Sequence, residues 1–393
     1  MRRAALALVA TLLCGSGLAR TQQVPGPAPA AISAADLQKA IDQLGSFDFP
    51  VRMEASRTVR RAAADLAGSM LAKAARSHTD EYVRYRALTL LAGFGDPSVA
   101  GVMRDIKGDR NDRLRTVAFA WYEHAPDAAV LPSLIDALGK ERSEFVRPAL
   151  TRAIAAQGAD PRARAALVPL VVRGDDYFRG AVIEALGDYD GKYALAEITE
   201  VAKNEGPLQD DAISALGKIG DASTSAFLAG LQKSAAREVQ PTIVAAMCLL
   251  GSGCPAAEEY LRKTLTFAAT TEGYAPLLRG AVHATSLLAG RGRAAAMAAL
   301  FDVGNTAREV ARGTIALGVG MIALRQPATM LAALEARKDR AESIELLRDA
   351  FDMLNEDFEE ERFYVEVRRA YWAAAAGSVR RQVTEAIIQK LEF

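Results

Sequence analysis

The chain has 393 residues, half of them hydrophobic and only 6% aromatic, and it balances 48 Lys and Arg against 48 Asp and Glu. A near-neutral chain lacks the electrostatic footprint of a nucleic-acid binder. Three histidines and three cysteines leave little material for a metal site of ordinary ligand spacing.

The chain opens with Arg2 and Arg3, an apolar run from Ala4 to Leu13, and the small-x-small triplet Gly17-Leu18-Ala19. This reads as a bacterial-type signal peptide over residues 1–19, cleaved after Ala19. The same residues could serve as an uncleaved N-terminal anchor. The run is too short to cross a bilayer as a helix, so no stable membrane span is expected after cleavage. Cys14 invites a lipoprotein reading, but Leu13 stands where such signals need a small residue. Residues 20–35 form a Pro/Ala-rich linker, "TQQVPGPAPAA" at its centre. Cleavage removes Arg2 and Arg3 from the 48 basic residues and leaves 46 against 48 acidic ones, a net of −2. The expected address is periplasmic or secreted.

From residue 36 to 393 one phrase recurs. The same slot holds Arg52, Arg84, Arg115, Arg147, Arg179, Gln209, Gln240, Arg279, Arg312, Arg348 and Arg380, a period near 32. The residue before the slot is apolar (Val83, Leu114, Phe178), and the third and seventh after it are apolar or small (Ala87 and Leu91, Leu150 and Ile154). That spacing puts one stripe on a helix. Asp48, Asp80, Asn111, Ser143 and Asp175, four before the slot, are expected N-caps. Gly95, Gly158, Gly220, Gly251 and Gly290, eleven after it, are expected stops. Asp96-Pro97 and Asp160-Pro161 then start a second helix, with stripes such as "AVLPSLIDAL" over 129–138. One helical pair cannot bury its apolar face alone, so the fold class is all-α, an α-solenoid of about eleven stacked helix-turn-helix units. At about 8–10 Å per layer these predict an open arc of roughly 90–110 Å.

Because its neighbour is core, the slot arginine is read as a structural ladder between units: Arg52, Arg84, Arg115, Arg147, Arg179, Arg279 and Arg312. Gln at 209 and 240 fits this, since Gln donates hydrogen bonds without charge. The basic cluster Arg57, Arg60 and Arg61 reads as a solvated outer face. Cys248 and Cys254 flank one inter-helix turn and are a candidate disulfide in an exported protein. The 39-residue step to Arg279 contains the irregular stretch "LTFAATTEGYAP" (265–276). Near the end, an acidic run from Glu356 to Glu361 precedes Phe363, Tyr364, Tyr371 and Trp372. This stretch is a terminal cap or an interface edge, and the four aromatics are candidate partner-binding residues.

The phrase Val-Arg…Ala…Leu…Gly-Asp-Pro…Leu, clearest at Val83–Pro97 and Val146–Pro161, resembles HEAT repeats, in particular the short HEAT-like type of phycobilisome lyases. The resemblance covers roughly residues 37–393 and implies a curved wall, usually of second helices, that grips a partner.

No catalytic set, metal ligands or cofactor loop stands out. His78, His124 and His283 fall in different repeats. Gly318-x-Gly320-x-x-Ala323 lacks the strand that a dinucleotide loop requires. The reading is therefore a non-catalytic scaffold for a protein or peptide partner, with no nucleic acid. The alternative, implied by the resemblance, is a lyase-like enzyme acting on a small molecule.

Overall fold

The computed structural model describes residues 32–95, 98–354 and 358–393. The expected signal peptide, most of the linker and the Asp96-Pro97 helix start lie outside them. The helices are α1 (Ala34–Gln43), α2 (Phe49–Arg61), α3 (Ala64–Ser77), α4 (Glu81–Phe94), α5 (Val99–Ile106), α6 (Asp112–His124), α7 (Leu131–Lys140), α8 (Arg147–Ala155), α9 (Pro161–Leu167), α10 (Asp176–Asp188) and α11 (Leu195–Lys203). They continue as α12 (Gln209–Ile219), α13 (Ser225–Leu231), α14 (Gln240–Leu249), α15 (Cys254–Thr270), α16 (Ala275–Gly290), α17 (Ala294–Gly304), α18 (Glu309–Arg325), α19 (Pro327–Ala336), α20 (Arg340–Met353), α21 (Phe358–Ala373) and α22 (Val379–Leu391). Each slot residue lies on an even-numbered helix, in its first turn except at Arg348, which sits in the middle of α20. The fold is an α-solenoid, and the 39-residue step reflects the 17-residue α15.

Local chemistry explains the helix ends. Asp80, Asn111 and Asp175 accept hydrogen bonds from the first free amides of α4, α6 and α10. Ser143 does not cap, because α8 begins later, at Arg147-Pro148. Gly95 and Gly220 end α4 and α12 in the left-handed conformation, φ 64° and 72°. Gly158 and Gly290 do not adopt it. Gly158 is instead held close, since a Cβ there would lie 3.0 Å from the Tyr193 hydroxyl.

The slot side chain closes the C-terminus of the helix before it. Arg84 Nε donates to the Ala75 carbonyl (3.0 Å), Arg115 Nη1 to Asp109 O (2.8 Å), Arg179 Nε to Val171 O (3.1 Å) and Arg312 Nη1 to Gly304 O (3.1 Å). Arg52 does the same to Ser46 O at 2.7 Å. Gln209 reaches Ala202 O at 3.2 Å, and Gln240 reaches both Gln232 O and Ala235 O at 2.9 Å. These carbonyls lie in the last turn of the preceding helix or just beyond it, where the intrahelical donors have run out, so any N–H donor serves and the charge is optional. The arginines add a carboxylate from the next unit: Arg84 with Asp109, Arg115 with Glu141 through two bonds of 2.8 and 2.9 Å, and Arg312 with Asp349 at 2.6 Å. Arg147 departs from the pattern. It lies over the Phe178 ring (4.1 Å) and 3.7 Å from Asp175. Arg279 is exposed and makes no such contact, which corrects its place in the ladder. The unit before it ends in the long α15, where Phe267 near the end of the helix and Tyr274 beyond it are covered by Arg237 instead.

The even-numbered helices pack on one another more closely than the odd ones do. Small residues allow this. A Cβ on Gly187 would stand 2.8 Å from Ala215 Cα, and one on Gly217 2.8 Å from Ala246 Cα. Gly318 and Gly320, inside α18, face α16 and α20 in the same way. A wall whose layers approach closely on one side curves toward that side. Here it curves until the ends of the array meet: α21 packs against α4, and Arg57 of α2 reaches Glu392 beyond α22 at 3.4 Å. The array is a closed ring, not the open arc expected from stacking distance alone. Stacking distance fixes the contour length; the close inner contacts fix the bend.

The slot contacts predict a graded series in urea unfolding. Arg115→Ala breaks a carbonyl cap and leaves the half-buried Glu141 short of its cation, costing about 2–3 kcal/mol. Arg147→Ala costs about 1 kcal/mol or less, and Arg279→Ala is within about 0.5 kcal/mol of the parent. Equal costs at all three positions would contradict this account of the slot.

Candidate functional site: the inner wall and its two ends

The even-numbered helices run parallel, so their C-terminal ends gather at one end of the ring. There the wall closes on itself through charge. Glu123, at the end of α6, accepts from Arg152 Nε (2.8 Å), the Tyr189 hydroxyl (2.8 Å) and Arg325 Nη1 (3.2 Å), which come from α8, the end of α10 and α18. His124 Nε2 lies 2.9 Å from Glu359 Oε1 on α21, and Arg362 holds the other oxygen of that carboxylate. Further along α21, Glu361 takes a two-point contact from Arg60, at 2.9 and 2.6 Å, and both side chains are 4% exposed. Arg60 is thus a buried partner of a residue 301 positions away, not part of a solvated outer face. Val365 and Glu361 sit where a Cβ on Gly93 would fall, so α21 lies flush against α4.

Glu123, His124 and Glu359 bring three ligand atoms within 4.8 Å, a geometry that could hold a metal ion. Their partners do not fit a cation. Arg152, Arg325 and Arg362 already neutralise the two carboxylates, and a metal would face three guanidinium groups. Burial by itself would raise the Glu359 carboxyl. The His124 hydrogen bond and the charges of His124, Arg362 and Arg325 outweigh burial and hold it at about 2. Burial, followed by the charge and hydrogen bond of Glu123, raises the Tyr189 hydroxyl above its ordinary value, so it remains a proton donor in this network.

Halfway along the wall, Ser214 Oγ on α12 meets His283 Nε2 on α16 at 2.6 Å, across the intervening α14. His283 keeps an exposed face, yet the ring encloses it. That enclosure and the nearby Lys218 push its pKa down, so it is neutral at pH 7.

The N-terminal ends of the same helices form the mouth. A cleft of about 370 Å³ crosses α8, α10 and α12 there, lined by Pro148, Tyr177, Pro207 and Leu208 with the carboxylates Asp176, Glu184 and Asp211. A second cleft, of about 250 Å³, shares Asp176, Pro207 and Leu208 and continues over the 204–208 turn. Burial, together with the like charges of Glu184 and Asp210, raises Asp211 to about 6. Asp210 is also raised by burial.

The other residues singled out in the sequence are dispersed. Phe363 is fully buried against Phe351 (5.0 Å between ring centres), so it offers nothing to a partner. Tyr364 stacks on Phe393 at 4.1 Å beneath the Arg60 guanidinium. Tyr371 is half covered by Arg381 at 3.3 Å, and Trp372 alone of the four is well exposed, at 74%. These corrections have one cause: α21 packs back into the ring instead of standing at a free end. Cys248 and Cys254 are bonded to each other across the turn between α14 and α15. Glu123 and Asp211 were not among the residues picked out from the sequence, and Glu359 and Glu361 were read only as part of an acidic terminal run. Their partners lie as far as 301 residues away, and no local spacing marks them.

Three variants test these electrostatics. Glu361→Ala leaves Arg60 buried without its carboxylate and lowers stability by about 3–5 kcal/mol. Glu366→Ala, removing an exposed pair with Arg369, costs about 0.5 kcal/mol. Asp211→Asn has the opposite sign. A carboxyl with a raised native pKa costs stability as pH climbs from about 4 to about 6, so Asn stabilises by about 1–2 kcal/mol at pH 7 and by nothing below about pH 4. A flat difference across that window in thermal melts would contradict the placement of Asp211.

The family model described as HEAT repeats matches residues 68–155. No curated protein matches the chain. Among solved structures, the phycocyanin lyase CpcE–CpcF complex of Nostoc superposes with 20% identity over 66% of this chain and 96% of that one, TM-score 0.41. Yeast importin-β gives 13% identity over 91% and 61%, TM-score 0.38, and human deoxyhypusine hydroxylase 17% over 67% and 98%, TM-score 0.34. Superpositions this loose say nothing about activity. The chain is an α-solenoid that carries HEAT repeats at residues 68–155.

Proposed function

We propose that the chain is an exported, non-catalytic scaffold that holds a protein or peptide partner against its inner wall. One observation carries the reading. The acidic, basic and imidazole groups that could do chemistry at the closed end are tied to each other, while the mouth leaves apolar side chains and a carboxylate-lined cleft open. Export rests on the pattern of residues 1–19, and a bonded Cys248–Cys254 pair suits an oxidising compartment. The wall in question is built from the slot-bearing even-numbered helices, which replace the second helices as the partner-facing layer.

The test is capture of the chain from native cell-envelope extract after mild crosslinking, with mass spectrometry of its N-terminus. The scaffold reading predicts a mature N-terminus at Arg20 and one dominant protein crosslinked to inner-wall residues. An unprocessed chain found with cytoplasmic proteins would contradict export. A retained small molecule with no protein partner would replace the scaffold with the enzyme reading.

A further inference from the structure

The mouth carries a periodic feature that the closed end lacks. Two residues before each slot, the repeats place Tyr82, Arg113, Phe145, Tyr177 and Pro207 on successive helix starts. Phe145 and Tyr177 are 72% and 60% exposed. The Arg113 guanidinium lies 5.6 Å from both the Tyr82 and Tyr85 ring centres, so its flat face continues the row. Large exposed aromatics are costly to leave in water without use, and here they recur at one register position.

The spacing of the row selects a ligand shape. Neighbouring parallel helices lie about 8–10 Å apart, so the rungs do too. A polyproline-II chain advances about 3.1 Å per residue with three residues per turn, about 9.3 Å between like faces. Every third residue of such a chain therefore meets the next rung, and proline rings pack well on aromatic faces. The cleft beside Tyr177 adds a charge requirement. None of its nine lining residues is basic, and three are acidic. Asp176 is paired with Arg179 at 3.0 Å and Glu184 lies 3.6 Å from Arg152, whereas Asp211 makes no ion pair among the described residues.

The geometry points to a docking groove along the rim from Phe145 to Pro207 for an extended, proline-containing segment of a partner protein. Its prolines lie on Phe145, Tyr177 and Pro207, and one Lys or Arg enters the cleft toward Asp211 and Glu184. The row supplies shape selection, the cleft supplies register, and neither requires the ring to open. This inference deepens the scaffold reading and rests on it.

The probe is the synthetic peptide acetyl-APPAPPRPPAPP-amide, titrated calorimetrically into the full mature protein at low salt. Saturable one-to-one binding is expected. Tyr177→Ala and Phe145→Ala should each weaken it about tenfold while leaving the melting temperature unchanged, because both side chains are exposed. Asp211→Asn, or norleucine for the peptide's Arg, should weaken it similarly, and the two changes together should cost no more than either alone. No saturation up to about 1 mM would overturn the groove. So would parent-like binding by Tyr177→Ala, or equal binding by a Gly-Ser peptide carrying the same Arg. A protein partner captured elsewhere on the chain, alongside such a failure, would leave the scaffold reading standing and remove only the groove.

Discussion

Curvature in this molecule is set where the even-numbered helices touch. At Gly187, Gly217 and Gly320 the neighbouring helix comes so near that a methyl group would collide with it. The odd-numbered helices have no equivalent run of close approaches, so the outer layer is wider than the inner one and each unit adds a bend of the same sign. Summed over eleven helical pairs, the bend brings α2 and α4 against α21 and α22. The burial of Arg60 and Glu361, the covering of Phe363 and the convergence of Glu123, Arg152 and Arg325 all depend on that closure.

Closure divides the inner wall into two regions with different chemistry. At the C-terminal end, desolvated charges must find partners, and they do so across large sequence distances. Such a network is informative about specificity. Each carboxylate fixes which distant helix lies beside it, so a shifted register would strand a buried charge. At the N-terminal end a cleft opens between α8, α10 and α12, and Asp211 makes no ion pair there among the described residues. The first region holds the ring in shape, and the second is where a ligand has room.

Much of the fold is legible in the sequence because it is local. The slot, the apolar positions three and seven beyond it, and caps such as Asp80 and Asn111 act within one turn or between adjacent turns, and periodicity reports them directly. Gln209 and Gln240 even indicate that donation, not charge, is the slot's task. The ring is not legible, because curvature depends on small differences between two layers that share one repeat. Gly217 looks like any helix glycine until Ala246 is placed against it. For the same reason the run from Glu356 to Glu361 reads as a polar end. Only the arrival of Arg60 and His124 from the other end of the chain makes Glu359 and Glu361 interior residues. The cleft at Tyr177 and Asp211 joins three repeats and has no signature in any one of them.

The most direct test of closure is a distance between the two ends of the array. Glu54 and Glu392 are both solvent-facing, with side chains 60% and 67% exposed, and Arg57 bridges them. Spin labels on Glu54→Cys and Glu392→Cys, read by pulsed electron paramagnetic resonance, should give one narrow distribution below about 25 Å. An open arc, whose units stack to roughly 90–110 Å from end to end, would give no such short distance. It would remove the ring and the account of the inner wall that depends on it.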